Sequence, residues 1–238
     1  MKTHFITFGA GEQNYYDAVD RLEKQANQIG LFDTITAYTD KDLQTDGNFW
    51  TKHGEFIEEN RRGYGYWLWK PYLIKKTIAA LEDGDILLYL DCGCEIDVRN
   101  RDWLKSLFER VKTCDMIVTT TDNEERQWNK MDLPVYLNMT DDAHLQSGQH
   151  QAGAVLIHVC DKTRRFLHEW YETCCNYSLI DDSPSISPNY YTFSEHRHDQ
   201  AVFSLLLKKY NMCNGQDSLW NCIRYNRNKS GVSELQGV

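Results

Sequence analysis

The residues best suited to chemistry lie in three short clusters. In the run Leu87-Leu88-Tyr89-Leu90-Asp91-Cys92-Gly93-Cys94-Glu95-Ile96-Asp97, an apolar stretch ends on an acidic turn. An aspartate just past a buried strand, with Gly93 letting the backbone approach closely, can hold a hard divalent cation. Mg2+ and Mn2+ take oxygen ligands and commonly bridge one or two carboxylates to substrate phosphates. The plainer reading is an aspartate that caps a loop. The second cluster runs from Arg61 to Pro71, where Arg61, Arg62 and Lys70 surround aromatic rings and two glycines. Cations beside a helix N-terminus favour phosphate, because the free N–H groups and the dipole act in the same sense. Otherwise Trp67 and Trp69 are core and the cations a solvated rim. The third cluster, Glu195-His196-Arg197-His198-Asp199-Gln200, could ligate a metal, move protons or simply cap a helix. HExxH, GxxxxGK[ST] and GxSxG are all absent, which removes support for zinc-protease, P-loop and serine-hydrolase chemistry.

These clusters need a scaffold, and the hydrophobic pattern supplies one. His4–Phe8, Phe32–Tyr38, Asp85–Leu90, Met116–Thr119 and Ala152–Val159 read as strands. Tyr15–Ile29, Phe56–Asn60, Tyr72–Leu81, Leu104–Val111, Thr163–Tyr177 and Asp199–Tyr210 read as helices, with Gly30 as a stop and Pro71 in a first turn. Strand and helix alternate most regularly in the first half, which predicts an α/β fold with a mostly parallel central sheet flanked by helices. In such sheets ligands sit beyond the carboxyl ends of the strands, where Asp91 falls. No repeat or linker divides the chain, so one domain is expected.

A length of 238 residues is enough to bury a sizeable core without staples. The net charge of -9 repels phosphate backbones, so no nucleic-acid partner is expected beyond a nucleotide in a local basic pocket. Thirty aromatic residues provide core and flat surfaces for sugars or bases. The N-terminus lacks the apolar core of a signal peptide, and no stretch has the length of a transmembrane segment. Cys92, Cys94, Cys114, Cys160, Cys174, Cys175, Cys213 and Cys222 lack zinc-finger spacing and are expected as reduced thiols in a cytoplasmic protein.

Taken in order, Arg62-Gly-Tyr-Gly-Tyr-Trp-Leu-Trp-Lys70-Pro, Tyr89-Leu-Asp91-Cys-Gly93-Cys-Glu95 and His196-Arg-His198-Asp199-Gln200 resemble the GT-A glycosyltransferases, small viral and bacterial ones in particular. The resemblance spans most of the chain and implies a GT-A fold that binds a nucleoside diphosphate sugar, UDP-linked, with Mn2+ or Mg2+ on its diphosphate. Residues 1–97 would form the donor half and 98–238 the acceptor half. Thr7, Phe8 and Gly9 would lie by the base and ribose. Asp91 matches the first aspartate of the family's DxD, but Gly93 stands where the second belongs, so Glu95, His196 or His198 would have to complete the metal site. Lys70 and Arg62 would hold the departing diphosphate.

Gln151-Ala152-Gly153 followed by Asp199-Gln200 is also similar to the order found in retaining members, with glutamine for their asparagine. That likeness puts Gln151 and Asp199 on the transferred sugar and Gln200 by the anomeric carbon. The implied reaction moves a hexose or deoxyhexose to a saccharide, for which Trp128 offers a ring face, with retention or, if Asp199 is a base, inversion. A sugar nucleotidyltransferase would need an arginine in the loop after the first strand, and none occurs before Arg21. A binding module that has lost its metal site is the non-enzymatic alternative.

Overall fold

The computed structural model describes residues 1–212 and 219–235; Cys213 lies outside them. The first half builds β1 (Thr3–Gly9), α1 (Gln13–Ile29), β2 (Thr34–Thr39), α2 (Asp40–Gln44), α3 (Gly47–Glu59), the turn α4 (Gly63–Tyr66), α5 (Trp69–Ala79), β3 (Ile86–Leu90) and β4 (Glu95–Ile96). The second half builds α6 (Arg101–Val111), β5 (Met116–Glu124), α7 (Glu125–Trp128), α8 (Asp132–Leu137), α9 (Asp142–Leu145), β6 (Gly148–His158), α10 (Asp161–Cys174), α11 (His198–Lys209) and β7 (Ile223–Arg224).

The sheet runs β2-β1-β3-β6-β5. β1 pairs in parallel with β2 and β3, while β6 runs against both β3 and β5, so four of the five strands share one direction. The expected mixed α/β fold with a mostly parallel sheet is present. The pattern could not show the reversed β6, because a buried apolar strand looks the same in either direction. Strands from both sides of residue 97 lie in this one sheet, and β4 pairs with β7 in a second, two-stranded one.

β1 and β3 are buried along their whole length, as strands covered on both faces must be. Ile6, Phe8, Leu87 and Tyr89 face the core shared with α5, α10 and α11, whereas Phe5, Ile86, Leu88 and Leu90 face α1 and α6. That alternation fixes register, since a one-residue slip would exchange the two faces. Among the described residues no helix is long and apolar enough to cross a membrane.

Between α3 and α5 the backbone turns left-handed for five residues, with φ of 58° at Gly63, 55° at Tyr64, 81° at Gly65, 51° at Tyr66 and 60° at Trp67. Each non-glycine residue there costs about 1–2 kcal/mol. Hydrogen bonds from Gly65 N–H to Asn60 O (2.8 Å), Tyr66 N–H to Arg62 O (2.8 Å) and Trp67 N–H to Gly63 O (3.1 Å) hold the turn. Trp69 adds an Nε1–H bond to Gly63 O at 3.0 Å and packs on Phe8 with ring centroids 4.0 Å apart. Strain of this kind persists only where the surroundings over-determine it. Here it ends after Trp67, with Leu68 already right-handed (φ -53°), and the first turn of α5 then carries Lys70 into the interior.

Candidate active site

Lys70 is 3% exposed, and its Nζ lies 3.2 Å from Asp91 Oδ1 and 3.2 Å from Asp199 Oδ2. Three elements meet to make this contact: the start of α5, the residue after β3 and the first turn of α11. The Asp91 amide is tied to Gly153 O at 2.8 Å, and Tyr89 donates its hydroxyl to Asp91 Oδ1 at 2.5 Å. Trp170 holds Asp199 from behind through Nε1–H to its carbonyl at 3.0 Å. The Asp91 side chain remains 39% exposed and forms the open face of the group.

Burial opposes charge on Lys70, but Asp199 and Asp91 outweigh it and raise its pKa, so the ammonium stays charged. Burial pushes Asp199 up to about 6, against the pull of Lys70 and with the Asp91 carboxylate adding to the rise. With both carboxylates ionised the group carries one net negative charge.

The remaining expected site residues divide sharply. Glu95 is fully buried and cannot be a metal ligand. Its carboxylate accepts from Asn226 Nδ2 (2.6 Å), Asn228 Nδ2 (2.9 Å), the Ser233 hydroxyl and the Glu234 amide (3.0 Å), with Arg21 Nη1 at 3.5 Å. Burial alone would raise its pKa, yet these donors hold it down at about 2. Glu95 thus clamps residues 226–234 across the acidic turn. Arg21 joins in, donating to the carbonyls of Cys92 (2.7 Å) and Asn228 (3.1 Å). The clamped strap explains Gly93: a Cβ there would sit 3.2 Å from Arg227 Cα, and Asn228 N–H already bonds Gly93 O at 2.9 Å. Position 93, where the resemblance would put a second aspartate, instead leaves room for a backbone. Glu95→Ala is therefore expected to cost about 3–5 kcal/mol, since it leaves Arg21 charged, buried and unpaired. Urea unfolding measures this, and limited proteolysis should then cut within 226–234.

His196 is also ruled out as a metal ligand. Its Nε2 lies 2.8 Å from Leu179 O and its Nδ1 accepts the Lys130 amide at 3.3 Å, so both nitrogens are committed. Burial lowers its pKa to about 3. In His198, Nδ1 faces Ile180 O at 2.6 Å, so it carries the proton, and Nε2 makes no hydrogen bond, with Asp182 Oδ1 3.9 Å away. Its ring stacks on Trp67, and burial lowers its pKa.

Arg62 does not face Asp91 in this conformation. Its guanidinium is paired with Asp182 at 2.9 Å and Glu195 at 3.4 Å. Phe8 belongs to the core, as its contact with Trp69 shows, and Thr7 is fully buried, although its hydroxyl has no partner. Of the β1 end only backbone, with Gly9 packed under α1, is left to meet a base or ribose. Gln200 reaches the strand that carries Gln151 but bonds its neighbours and not Gln151 itself. Gln200 Oε1 accepts the Ala152 amide at 3.3 Å, its Nε2 donates to Gln149 Oε1 at 2.7 Å, and the buried Gln151 Oε1 is unpartnered. Trp128 has one face covered by the Arg197 guanidinium, 4.0 Å from the ring centroid.

Sequence reasoning missed Lys130. Its ammonium is buried and bonds Asp181 O (3.0 Å), Asp181 Oδ1 (2.8 Å) and Ser183 O (3.2 Å), anchoring the long loop before α11. Nothing in the sequence marks it, because its partners lie more than fifty residues away.

No protein-family model matches the sequence, and no curated protein matches it. Among solved structures the chain is similar to mouse xyloside xylosyltransferase 1 in its apo form, at 9% identity and a TM-score of 0.47, over 89% of this chain and 83% of that one. It is similar to the galactosyltransferase LgtC in complex with donor and acceptor sugar analogs, at 16% identity and a TM-score of 0.46, over 97% and 84%. A third likeness, at 9% identity and a TM-score of 0.37 over 72% and 66%, is to a glycosyltransferase involved in glycosylation of the major capsid of PBCV-1. All three of these neighbours are glycosyltransferases.

Proposed function

We propose that this chain is a GT-A glycosyltransferase that moves a hexose or deoxyhexose from a nucleoside diphosphate sugar, UDP-linked, to a saccharide acceptor in the cytoplasm. The observation that carries this reading is the buried Lys70 ammonium between Asp91 and Asp199, set at the carboxyl end of β3. Residues 1–97 would provide most of the donor surface and 98–238 most of the acceptor surface.

Lys70 is a preorganised cation, held by two carboxylates and unable to retreat into water. Such a charge stabilises the negative charge that grows on a departing diphosphate. The net negative charge of the three-residue group would by itself repel the donor. The partly exposed Asp91 fits a divalent cation brought in with the phosphates, because Mg2+ commonly takes one or two carboxylates and completes its shell from phosphate and water. Bound there, Mn2+ or Mg2+ would supply Lewis-acid neutralisation of the diphosphate. His198 Nε2, with its free lone pair, is the remaining candidate for contact with donor or ion.

Asp199 is buried against Lys70, on the side where the diphosphate and sugar of the donor would lie, so it is assigned to the donor and not to the acceptor's proton. It serves instead to hold Lys70 and to accept a hydrogen bond from the donor sugar. The unpartnered Gln151 Oε1 offers a second acceptor, and Gln200 braces that strand from α11. The acceptor's proton then goes to a phosphate oxygen of the leaving group, and the anomeric configuration is retained. The open face of Trp128 supports the acceptor ring.

A thermal-shift series with nucleoside diphosphates and their sugars, with and without Mg2+, tests the reading. Ligand at 100 times Kd adds about 2.7 kcal/mol, so the cognate diphosphate with Mg2+ is expected to raise Tm by about 5–10 °C at about 2–4 °C per kcal/mol. No shift with any nucleoside diphosphate would contradict it. Proton NMR of the fresh product reads the configuration, and inversion would refute the proton route.

A further inference from the structure

At the opposite end of the sheet, Asp115, His158 and Cys160 converge, and we propose that they form a zinc-class metal site stapling β5, β6 and α10. The strands pair with Met116 opposite Ile157, and Asp115, in a left-handed bend (φ 65°) just before β5, comes next to His158. The His158 amide bonds Asp115 O at 2.9 Å and extends the ladder. Cys160 continues in extended conformation (φ -156°, ψ 170°), and two residues on from His158 it returns to the same side.

One carboxylate oxygen, one ring nitrogen and the thiol sulfur of these residues lie within 4.8 Å of one another. Cys160 Sγ is 3.8 Å from Asp115 Oδ1. Tetrahedral zinc, with Zn–S of about 2.3 Å and Zn–O of about 2.0–2.2 Å, spaces two such donors about 3.5 Å apart. Closing the sulfur–oxygen gap takes a few tenths of an ångström, and the His158 ring, within 4.8 Å of both, has to move in by up to about 1 Å. His158 Nδ1 is buried without a hydrogen-bond partner, so the ring has an uncommitted nitrogen. Lys162 pairs with Asp115 through Oδ2 at 2.9 Å, which leaves Oδ1 turned to the thiol.

The frame is already rigid. Thr163 Oγ1 accepts the Cys160 amide at 3.0 Å and donates to His158 O at 2.8 Å. Cys160 is the N-cap of the 14-residue α10, which fixes its backbone at the end of β6. A sulfur, nitrogen and oxygen set selects zinc over the hard cations suited to Asp91. Binding would release the thiol proton to solvent and leave a fourth position for water. The site is not catalytic. Ile86, which opens β3, pairs with His158, whereas Asp91 follows its other end, about 17 Å away at about 3.3 Å per residue.

The test is a Zn2+ titration of the full chain after chelator treatment, read by metal stoichiometry in the presence of excess Mg2+ and by Tm. One equivalent per chain and a higher Tm are expected. His158→Gln and Cys160→Ser should each lose that equivalent and the shift while donor turnover stays unchanged. Co2+ should give a thiolate charge-transfer band that Cys160→Ser abolishes. If Cys160→Ser fails to fold, the near-isosteric Asp115→Asn should still weaken Zn2+ binding at least tenfold. No bound zinc, or an equivalent retained in all the folded variants, would overturn the site.

Discussion

Replacing Lys70 with methionine is expected to abolish donor turnover and to cost the fold about 3–5 kcal/mol, because Asp199 is then a buried carboxylate without a counter-charge. The catalytic loss should be at least of the order of 10²–10³, as for removal of a preorganised group that stabilises growing negative charge. The stability loss should depend on pH. Without Lys70, which holds its pKa down, the Asp199 carboxyl takes up its proton more readily than in the wild type, so the deficit measured by urea unfolding should shrink between pH 8 and pH 5. The Lys70→Met/Asp199→Asn double variant should recover much of the stability and none of the turnover. A double variant as active as the wild type would remove Lys70 from the chemistry. An equal deficit at both pH values would show that it is not the Asp199 charge that needs Lys70.

The second large effect concerns Asp199 itself. Its folded pKa of about 6 lies above its ordinary 3.8. By linkage, Asp199 contributes stability that is fully present below about pH 4 and is lost as pH rises through about 6. The carboxylate proposed to accept a hydroxyl of the donor therefore forms at neutral pH against the preference of the fold. Turnover should rise with pH around a midpoint near 6, and Asp199→Asn should both lower kcat and flatten that limb. A nucleoside diphosphate sugar has no terminal phosphate monoester and so no second phosphate ionisation near 6 to mimic the effect. A variant that keeps the same pH limb would assign the titration to another group.

Much of this arrangement was legible in the sequence. The apolar run into Asp91, the cationic start of α5 and the Asp199-Gln200 helix start all come together, because each sits at the end of an element whose hydrophobic pattern is unambiguous. Lys70 looked like a possible rim cation and proved to be buried, because the left-handed turn before it depends on packing against Phe8 and His198 that no local pattern reveals. Glu95 and His196 looked like ligands, since residue type says nothing about whether a group is already satisfied. Their partners, Asn226 to Glu234 for one and Leu179 and Lys130 for the other, are distant in sequence. Gly93 was legible as a place of close backbone approach, but the same distance hid that the approaching backbone is that of Arg227 and Asn228.

The account is tested most directly by donor cleavage. The wild-type chain and Lys70→Met are incubated with a panel of nucleoside diphosphate sugars and Mg2+, without acceptor, and the released nucleoside diphosphate is measured. Slow release from at least one donor by the wild type, falling at least a hundredfold in Lys70→Met, is the predicted result. No release from any donor in the panel, or equal release by both proteins, would contradict it.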